Sequence, residues 1–183
     1  HGSCGDESTG DYTGNVCSID RLGIPKQKNN DGPQGFRGKA GTSTQFPSGM
    51  TVAASWDPEL MQSYGEAMGK EFYDHGANIQ LGPGVNVARV PLNGRNFEYV
   101  SGEDPILGYH MAKALVTGIQ SQGVVANVKH YVNNNQETDR GDQTASVDER
   151  TLFEIYYPPF EGAISANVGS AMCSYNRICK DCP

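Results

Sequence analysis

Twice in this chain an Asp-Pro pair opens a helical run that stops on glycine and passes at once into a short apolar segment. The first copy is "WDPELMQSYGEAMGKEFYDHGANIQL", Trp56 to Leu81. Asp57 suits the N-cap because a carboxylate can accept from the unpaired amides of the first turn, and Pro58 suits the first helical position because its missing N–H is not needed there. Leu60, Met61, Tyr64, Ala67, Met68 and Phe72 then recur at helical spacing until Gly76 ends the run, and a short buried strand is expected to finish near Leu81. The second copy begins at Asp104-Pro105, continues as helix to about Gln122 and delivers the strand "VVANVKHYV". An extended entry into the tight turn Asp31-Gly32-Pro33 supplies a strand before the first copy, with Gly35 and Gly38 keeping the following loop slim. A third helix, roughly Asp148 to Ala166, leads to "GSAMCSYN". Strands that alternate with helices in this way read as a parallel α/β sheet of about four strands joined by right-handed crossovers.

The 183 residues suit one domain or part of a larger one, with enough apolar content for a core. His1 to Asn15, rich in Gly, Ser, Asp and Thr, reads as a loop-like lead-in. A net charge of −7 with scattered Lys and Arg argues against nucleic acid as a partner, because nothing gathers cations against a phosphate backbone. No window approaches the roughly 18 apolar residues of a membrane span. The start at His1, without Met or an apolar leader, suggests a processed or excerpted chain.

Five cysteines, Cys4, Cys17, Cys173, Cys179 and Cys182, leave at least one without a partner inside the chain. Cys179 and Cys182 form C-x-x-C, but the four histidines lack matching spacing, so no metal site is expected. Two disulfides with one cysteine left over fit an oxidising, secreted or extracellular setting. No N-x-[ST] sequon is present, so N-glycosylation is not expected.

In parallel α/β folds the ligand sits at the carboxyl ends of the strands, and the chemistry-bearing residues gather there: Asp31, Arg95, Lys129, His130, and the stretch Met172 to Tyr175. Neither G-x-G-x-x-G nor G-x-x-x-x-G-K-[ST] occurs, which leaves nucleotides without support, and no cofactor is expected. A carboxylate accepts two hydroxyl hydrogen bonds, Arg and Lys donate to oxygens and His does either, so the set suits a polyhydroxylated or acidic small ligand. Each member has a plainer reading when taken alone. Asp31 is then a turn residue, Arg95 with Glu98 a surface ion pair, and Lys129 a surface cation beside a packed His130. Asn133 to Gln136 and Glu137 read as support for the Lys-His loop, while Glu137 grouped with Asp139 and Asp142 reads equally as solvated loop. Asp57, in "SWD", is a helix cap and not a nucleophile.

The ordered motifs "NNDGPQGFRG", "FPSGMTVAASWD", "QLGPGVNVAR", "GRNFEYVSGEDP", "VVANVKHYVNNNQE", "DERTLFEIYYPPFEGAI" and "SAMCSYNRI" resemble the N-terminal barrel domain of glycoside hydrolase family 3, especially its fungal-type β-glucosidases. The resemblance covers nearly the whole of residues 1–183 and implies about the first half of a (β/α)8 TIM-type barrel, parallel strands alternating with helices, since a complete barrel takes about 250 residues. It implies that Asp31 binds sugar hydroxyls at the nonreducing-end subsite, that Arg37, Arg95, Lys129 and His130 line that subsite, and that Met172 and Tyr175 form its wall. It also implies a β-glucoside or oligosaccharide substrate, glucosyl or xylosyl. A retaining mechanism needs a nucleophile carboxylate about 5–5.5 Å from an acid/base carboxyl. By the family pattern both lie beyond Pro183, so no catalytic residue is expected within the chain. The resemblance further pairs the counterpart of Cys173 with a cysteine further along, leaving Cys179, Cys182 or a free thiol as the choices here. Two functions follow: the sugar-binding half of a secreted β-glucosidase-like active site, or a noncatalytic truncated carbohydrate-binding or structural protein. An open barrel would also carry two bare sheet edges, inviting self-association, with "GSAMCSYN" as one of them.

Overall fold

The computed structural model describes residues 12–38 and 41–178. Strands β1 (Gly14–Val16), β2 (Gln27–Asp31), β3 (Ile79–Leu81), β4 (Val125–Tyr131) and β6 (Ser170–Cys173) form one sheet in the order β1-β2-β3-β4-β6. The last four run parallel; the helices α2 (Pro58–Asp74) and α3 (Pro105–Ser121) provide the first two crossovers between them, and the helical segment 149–165 the third. This is a partial TIM-type barrel, curled with its helices on the outside. A short α1 (Gly49–Ala53) precedes α2, and β5 (Thr144–Ala145) pairs with β7 (Arg177–Ile178) in a separate two-stranded ladder.

Both Asp-Pro starts cap their helices. The Asp57 carboxylate accepts from the amides of Glu59 and Leu60 at 2.9 and 3.1 Å, and that of Asp104 from Ile106 and Leu107 at 2.8 and 3.1 Å. The buried face of α2, with Met61, Tyr64, Met68 and Phe72, meets Met111, Leu115 and Ile119 of α3. Gly65 is needed where these helices cross, because a Cβ there would stand 2.7 Å from the Leu115 carbonyl oxygen. Val124, Ala126 and Val128 close the core from the sheet. β4 is buried on both faces from Ala126 to His130, as expected of a strand covered by helices outside and barrel interior within.

Three expectations need correction. The lead-in is not loop as far as Asn15, for Gly14–Val16 pairs antiparallel with Gln27–Asn29. This strand has no apolar alternation and pairs with β2 through backbone bonds, which hydrophobic periodicity cannot reveal. It also covers part of the β2 edge, so of two expected bare edges only that of β6 has no strand beside it among the described residues. The third helix is not continuous. It comprises α4 (Glu149–Thr151), a π turn over Leu152–Tyr156 and α5 (Pro158–Ser165). Pro158 has no N–H to close an ordinary turn, and the chain instead bonds the Tyr157 amide to the Leu152 carbonyl at 2.9 Å before restarting with proline at the first helical position.

Cys17 is disulfide-bonded, and Cys173 is an exposed free thiol. Cys4, the Cys179/Cys182 pair and the lead-in before Tyr12 lie outside the described residues. None of the described helices is long and apolar enough to cross a membrane.

Candidate active site

Asp31 is the last residue of β2, Lys129 and His130 stand near the end of β4, and Arg95 lies on the long connection that follows β3. The parallel sheet therefore brings four of the expected residues to one end. The strand pairing of β4 with β6 shifts register between Val128 and Tyr131, an irregularity of the kind that re-aims side chains at a strand end. Around these residues opens a cavity of about 290 Å³ lined by Asp31, Pro33, Arg37, Gly94, Arg95, Phe97, Glu98, Lys129 and Glu137. A second hollow of about 430 Å³ adjoins it across Asp31, Phe97 and Glu98, walled by the Gly32–Gly38 and Ser43–Gln45 segments.

Asp31 stands between two cations. Its Oδ1 is 3.3 Å from Lys129 Nζ and its Oδ2 is 3.0 Å from Arg37 Nη1. The cations differ sharply: the Lys129 side chain is 4% exposed and that of Arg37 75%. An ammonium this buried requires a counter-ion, so Asp31 is more than a turn residue. Asn30, fully buried, fixes the loop that carries Arg37 by accepting from its amide at 3.1 Å and donating to its carbonyl at 3.3 Å. Gly35, at φ +116°, lets that loop fold back on itself, since a Cβ there would meet the Thr44 carbonyl at 2.7 Å.

Arg95 is the centre of a denser cluster. Its Nε and Nη2 engage the two carboxylate oxygens of Glu137 at 2.9 and 3.1 Å, a two-point fit. Its Nη1 lies 3.0 Å from His130 Nε2 and 3.3 Å from Glu98 Oε1, the latter without hydrogen-bond alignment. A guanidinium can only donate, so His130 Nε2 accepts and the proton resides on Nδ1. Nδ1 then donates to the Tyr99 hydroxyl at 3.2 Å, and that hydroxyl donates to the Asn134 carbonyl at 3.2 Å. Burial, reinforced by Lys129, Arg95 and Arg140, pushes the His130 pKa down to about 3, so the ring is neutral. Asn86 holds the backbone at His130 from both sides, accepting from its N–H at 2.7 Å and donating to its carbonyl at 3.0 Å. Burial raises the Glu98 pKa against the opposing pull of Lys129 and Arg95.

The expected site residues fall into three groups. Asp31, Arg37, Arg95 and Lys129 share the cavity wall. His130 is 2% exposed, does not line the cavity, and is held between Arg95 and Tyr99. Met172 and Tyr175 do not line it either: Met172 is partly buried on β6, and the Tyr175 ring, 56% exposed, lies against the Arg140 guanidinium at 4.0 Å. β6 is the outer strand of the sheet, so these two face a side that no other described strand closes. The Arg95–Glu98 pair is not a surface pair, with side chains only 20% and 11% exposed. Glu137 is not solvated loop but a ligand of both Arg95 and Arg140. Sequence reasoning missed Glu98 and Tyr99 as members of the site, although the adjacent polar pair within "GRNFEY" was the available signal. Asn86, in an otherwise apolar "GVNV", was missed too. No group of His, Cys, Asp and Glu suited to a metal occurs among the described residues.

At one end of this parallel α/β half-barrel, a carboxylate and an ammonium at strand ends and a guanidinium on the adjoining connection thus surround a small polar cavity. The family model of the glycosyl hydrolase family 3 N terminal domain matches residues 8–182, and the chain belongs to that family. It is 47% identical over 167 residues to a beta-glucosidase of Rhizobium radiobacter, covering 88% of this chain and 20% of that protein. It is 43% identical over 173 residues to an exo-alpha-(1->6)-L-arabinopyranosidase of Bifidobacterium longum, covering 87% and 23% respectively. Beta-glucosidase 3B of Thermotoga neapolitana, solved in complex with alpha-D-glucose, superposes with a TM-score of 0.87 at 40% identity, covering 92% of this chain and 25% of that one. The chain thus spans about a fifth to a quarter of the length of these relatives.

Proposed function

We propose that these residues form the sugar-binding half of the active site of a retaining β-glucosidase-like hydrolase, acting on nonreducing-end β-glucosyl or xylosyl units. The observation that carries this reading is the buried Lys129 ammonium paired with a cavity-lining Asp31 carboxylate, with the Arg95 guanidinium on the same wall. Together they offer an acceptor and two donors to neighbouring hydroxyls in a space of about 290 Å³, small enough to favour a single sugar ring. Lys129 and Arg95 donate to ring hydroxyls, Asp31 accepts from two, and His130 reaches a hydroxyl through Nε2 only by exchanging Arg95 for it. The nucleophile and acid/base carboxyls come from chain beyond this segment. The Cys17 disulfide supports an extracellular location, where such bonds persist.

The test is kinetic. The 183-residue chain alone is expected not to turn over aryl β-glucosides, because a binding wall without two carboxyls at retaining separation has no covalent route. Steady hydrolysis by the purified chain, abolished by Asp31→Ala, would overturn this reading. The same preparation should self-associate through the uncovered edge of β6, which sedimentation velocity would detect; a monodisperse monomer across the concentration range counts against it.

A further inference from the structure

Trp56, the chain's one tryptophan, stands where a large side chain is least at ease. Its amide donates to the Ala53 carbonyl at 3.0 Å at the end of α1, and its φ of +59° lies in the left-handed region that glycine adopts freely and a bulky residue does not. The residue is also 65% exposed, so no burial in the core offsets that strain. Its indole lines a hollow of about 290 Å³ together with the apolar Met50 and Leu107 and the acidic Glu103 and Asp104. The same two acidic residues line an adjoining hollow of about 430 Å³ that contains Arg89. The result is one groove across the start of α3, with an aromatic ring in one part, carboxylates where the parts meet and a guanidinium in the other. None of these residues lines the cavity around Asp31.

The fold does not consume the polar groups of this groove. Among the described residues neither Glu103 nor Arg89 enters an ion pair. Arg89 Nη1 donates only to the Tyr156 hydroxyl, at a long 3.4 Å, and Asp104 commits Oδ1 alone to the cap of α3. Two carboxylates disfavour an anion and the guanidinium disfavours a cation, so the groove suits a neutral molecule. That molecule must offer donors and acceptors to these groups and an apolar face to the indole. A pyranose chain meets all three requirements, with hydroxyls around each ring and C–H bonds on its faces. We propose that the groove is a further saccharide site, which takes a short oligosaccharide with one ring on Trp56 and hydroxyls of the adjoining units on Glu103, Asp104 and Arg89. Such a site goes beyond the sugar reading of the Asp31 cavity, and it is tested with that cavity disabled.

The experiment uses the full-length hydrolase containing this segment, carrying Asp31→Ala, titrated calorimetrically with thio-linked cellotetraose, which resists hydrolysis. One site with a Kd of about 1 mM or tighter is expected. Adding Trp56→Ala should weaken binding at least about tenfold, and Trp56→Phe, which keeps a flat ring, by less than about threefold. Glu103→Ala and Arg89→Ala should each weaken it about threefold to fivefold. Glu103 is exposed and its side chain bonds to no described residue, so Glu103→Ala keeps the test valid if Trp56→Ala fails to fold. Unchanged affinity in Trp56→Ala or in Glu103→Ala would overturn the proposal. So would the absence of binding up to about 10 mM, the result expected if another part of the full-length protein covers the groove. The Asp31 cavity is read separately: aryl β-glucoside turnover by the Asp31→Ala hydrolase that matches the parent sinks the sugar reading of that cavity, whatever the groove binds.

Discussion

The two walls of the cavity are built in opposite ways. On the side of β4 and the connection after β3, Lys129, His130, Arg95, Glu98 and Tyr99 are largely shielded from solvent, and their polar groups engage one another, Asp31, Glu137 or the Asn134 carbonyl. On the side after β2, Asp31 sits at the foot of a loop threaded with glycine, and its second cation, Arg37, stands largely in water. A buried network has few alternative arrangements, since moving one member strands another without a partner. An exposed ion pair can re-form in many geometries at little cost. The enclosed wall thus holds its hydrogen-bond donors at fixed positions, and the open wall provides a boundary that can yield.

The largest effect should come from the one residue that belongs to both walls. Among the described residues Asp31 is the only acidic group within ion-pair distance of Lys129 Nζ. Asp31→Ala in the full-length hydrolase removes a hydroxyl acceptor and also leaves an ammonium buried without its counter-charge. The loss in kcat/KM should be about 2–4 kcal/mol of transition-state stabilisation. Unfolding stability should fall with it, by about 3–5 kcal/mol at most, the scale for breaking a buried pair from one side. Lys129→Met should lose comparable activity but much less stability, because Asp31 retains Arg37 and access to water. Equal stability losses in the two variants would break the contrast between the walls.

The same contrast marks how far the residues could be read in advance. Asp57-Pro58 and Asp104-Pro105 announced their helices because capping and helical spacing are local properties, and the strand ends followed from them. Asp31, Arg95 and Lys129 could be placed together because parallel topology sends every strand's carboxyl end to one face. What could not be read was which charges would be consumed internally. Glu98 and Glu137 stand on different connections: the Arg95–Glu98 pair could be read from their spacing, but nothing in the residues around Glu137 signals that it shares the same guanidinium. Only the folded segment after β3 brings Arg95 between them. β1 was illegible for a different reason, as a polar strand held by backbone bonds leaves no side-chain period.

A pH series sharpens the enclosed side. His130 titrates near 6.5 in an unfolded chain and near 3 in the fold, where burial and the cations Lys129, Arg95 and Arg140 all oppose protonation. Between those values the unfolded chain carries the extra proton. His130's contribution is therefore fully present above about pH 6.5 and is lost as pH falls toward 3, by up to about 1.4 kcal/mol per pH unit. Glu98 acts with the opposite sign, because its raised pKa gives the folded state the extra proton above the ordinary carboxylate range. The urea midpoint should decline on acidification from about pH 7 to about pH 5, and His130→Asn should flatten that decline. A pH dependence in His130→Asn as steep as the parent's would mean that the ring is not held neutral between Arg95 and Tyr99.

The smallest effect belongs to Arg37, and its smallness is informative. Arg37 makes the shorter of Asp31's two ion pairs, 3.0 Å against 3.3 Å, so distance alone would rank it above Lys129. Exposure reverses the ranking. With its side chain 75% exposed, the guanidinium gives up part of its hydration and rotamer freedom for an attraction that water and salt largely screen. Its backbone, moreover, is fixed by Asn30 whatever the side chain does, so truncation should leave the loop in place. Arg37→Ala should therefore change stability by less than about 1 kcal/mol, and should raise KM for a simple aryl glucoside by no more than about fivefold. The effect should shrink further as salt is raised, while that of Asp31→Ala should not. A loss for Arg37→Ala matching that for Asp31→Ala would place Arg37 on the sugar itself, and the open wall would then hold the ligand no less firmly than the enclosed one.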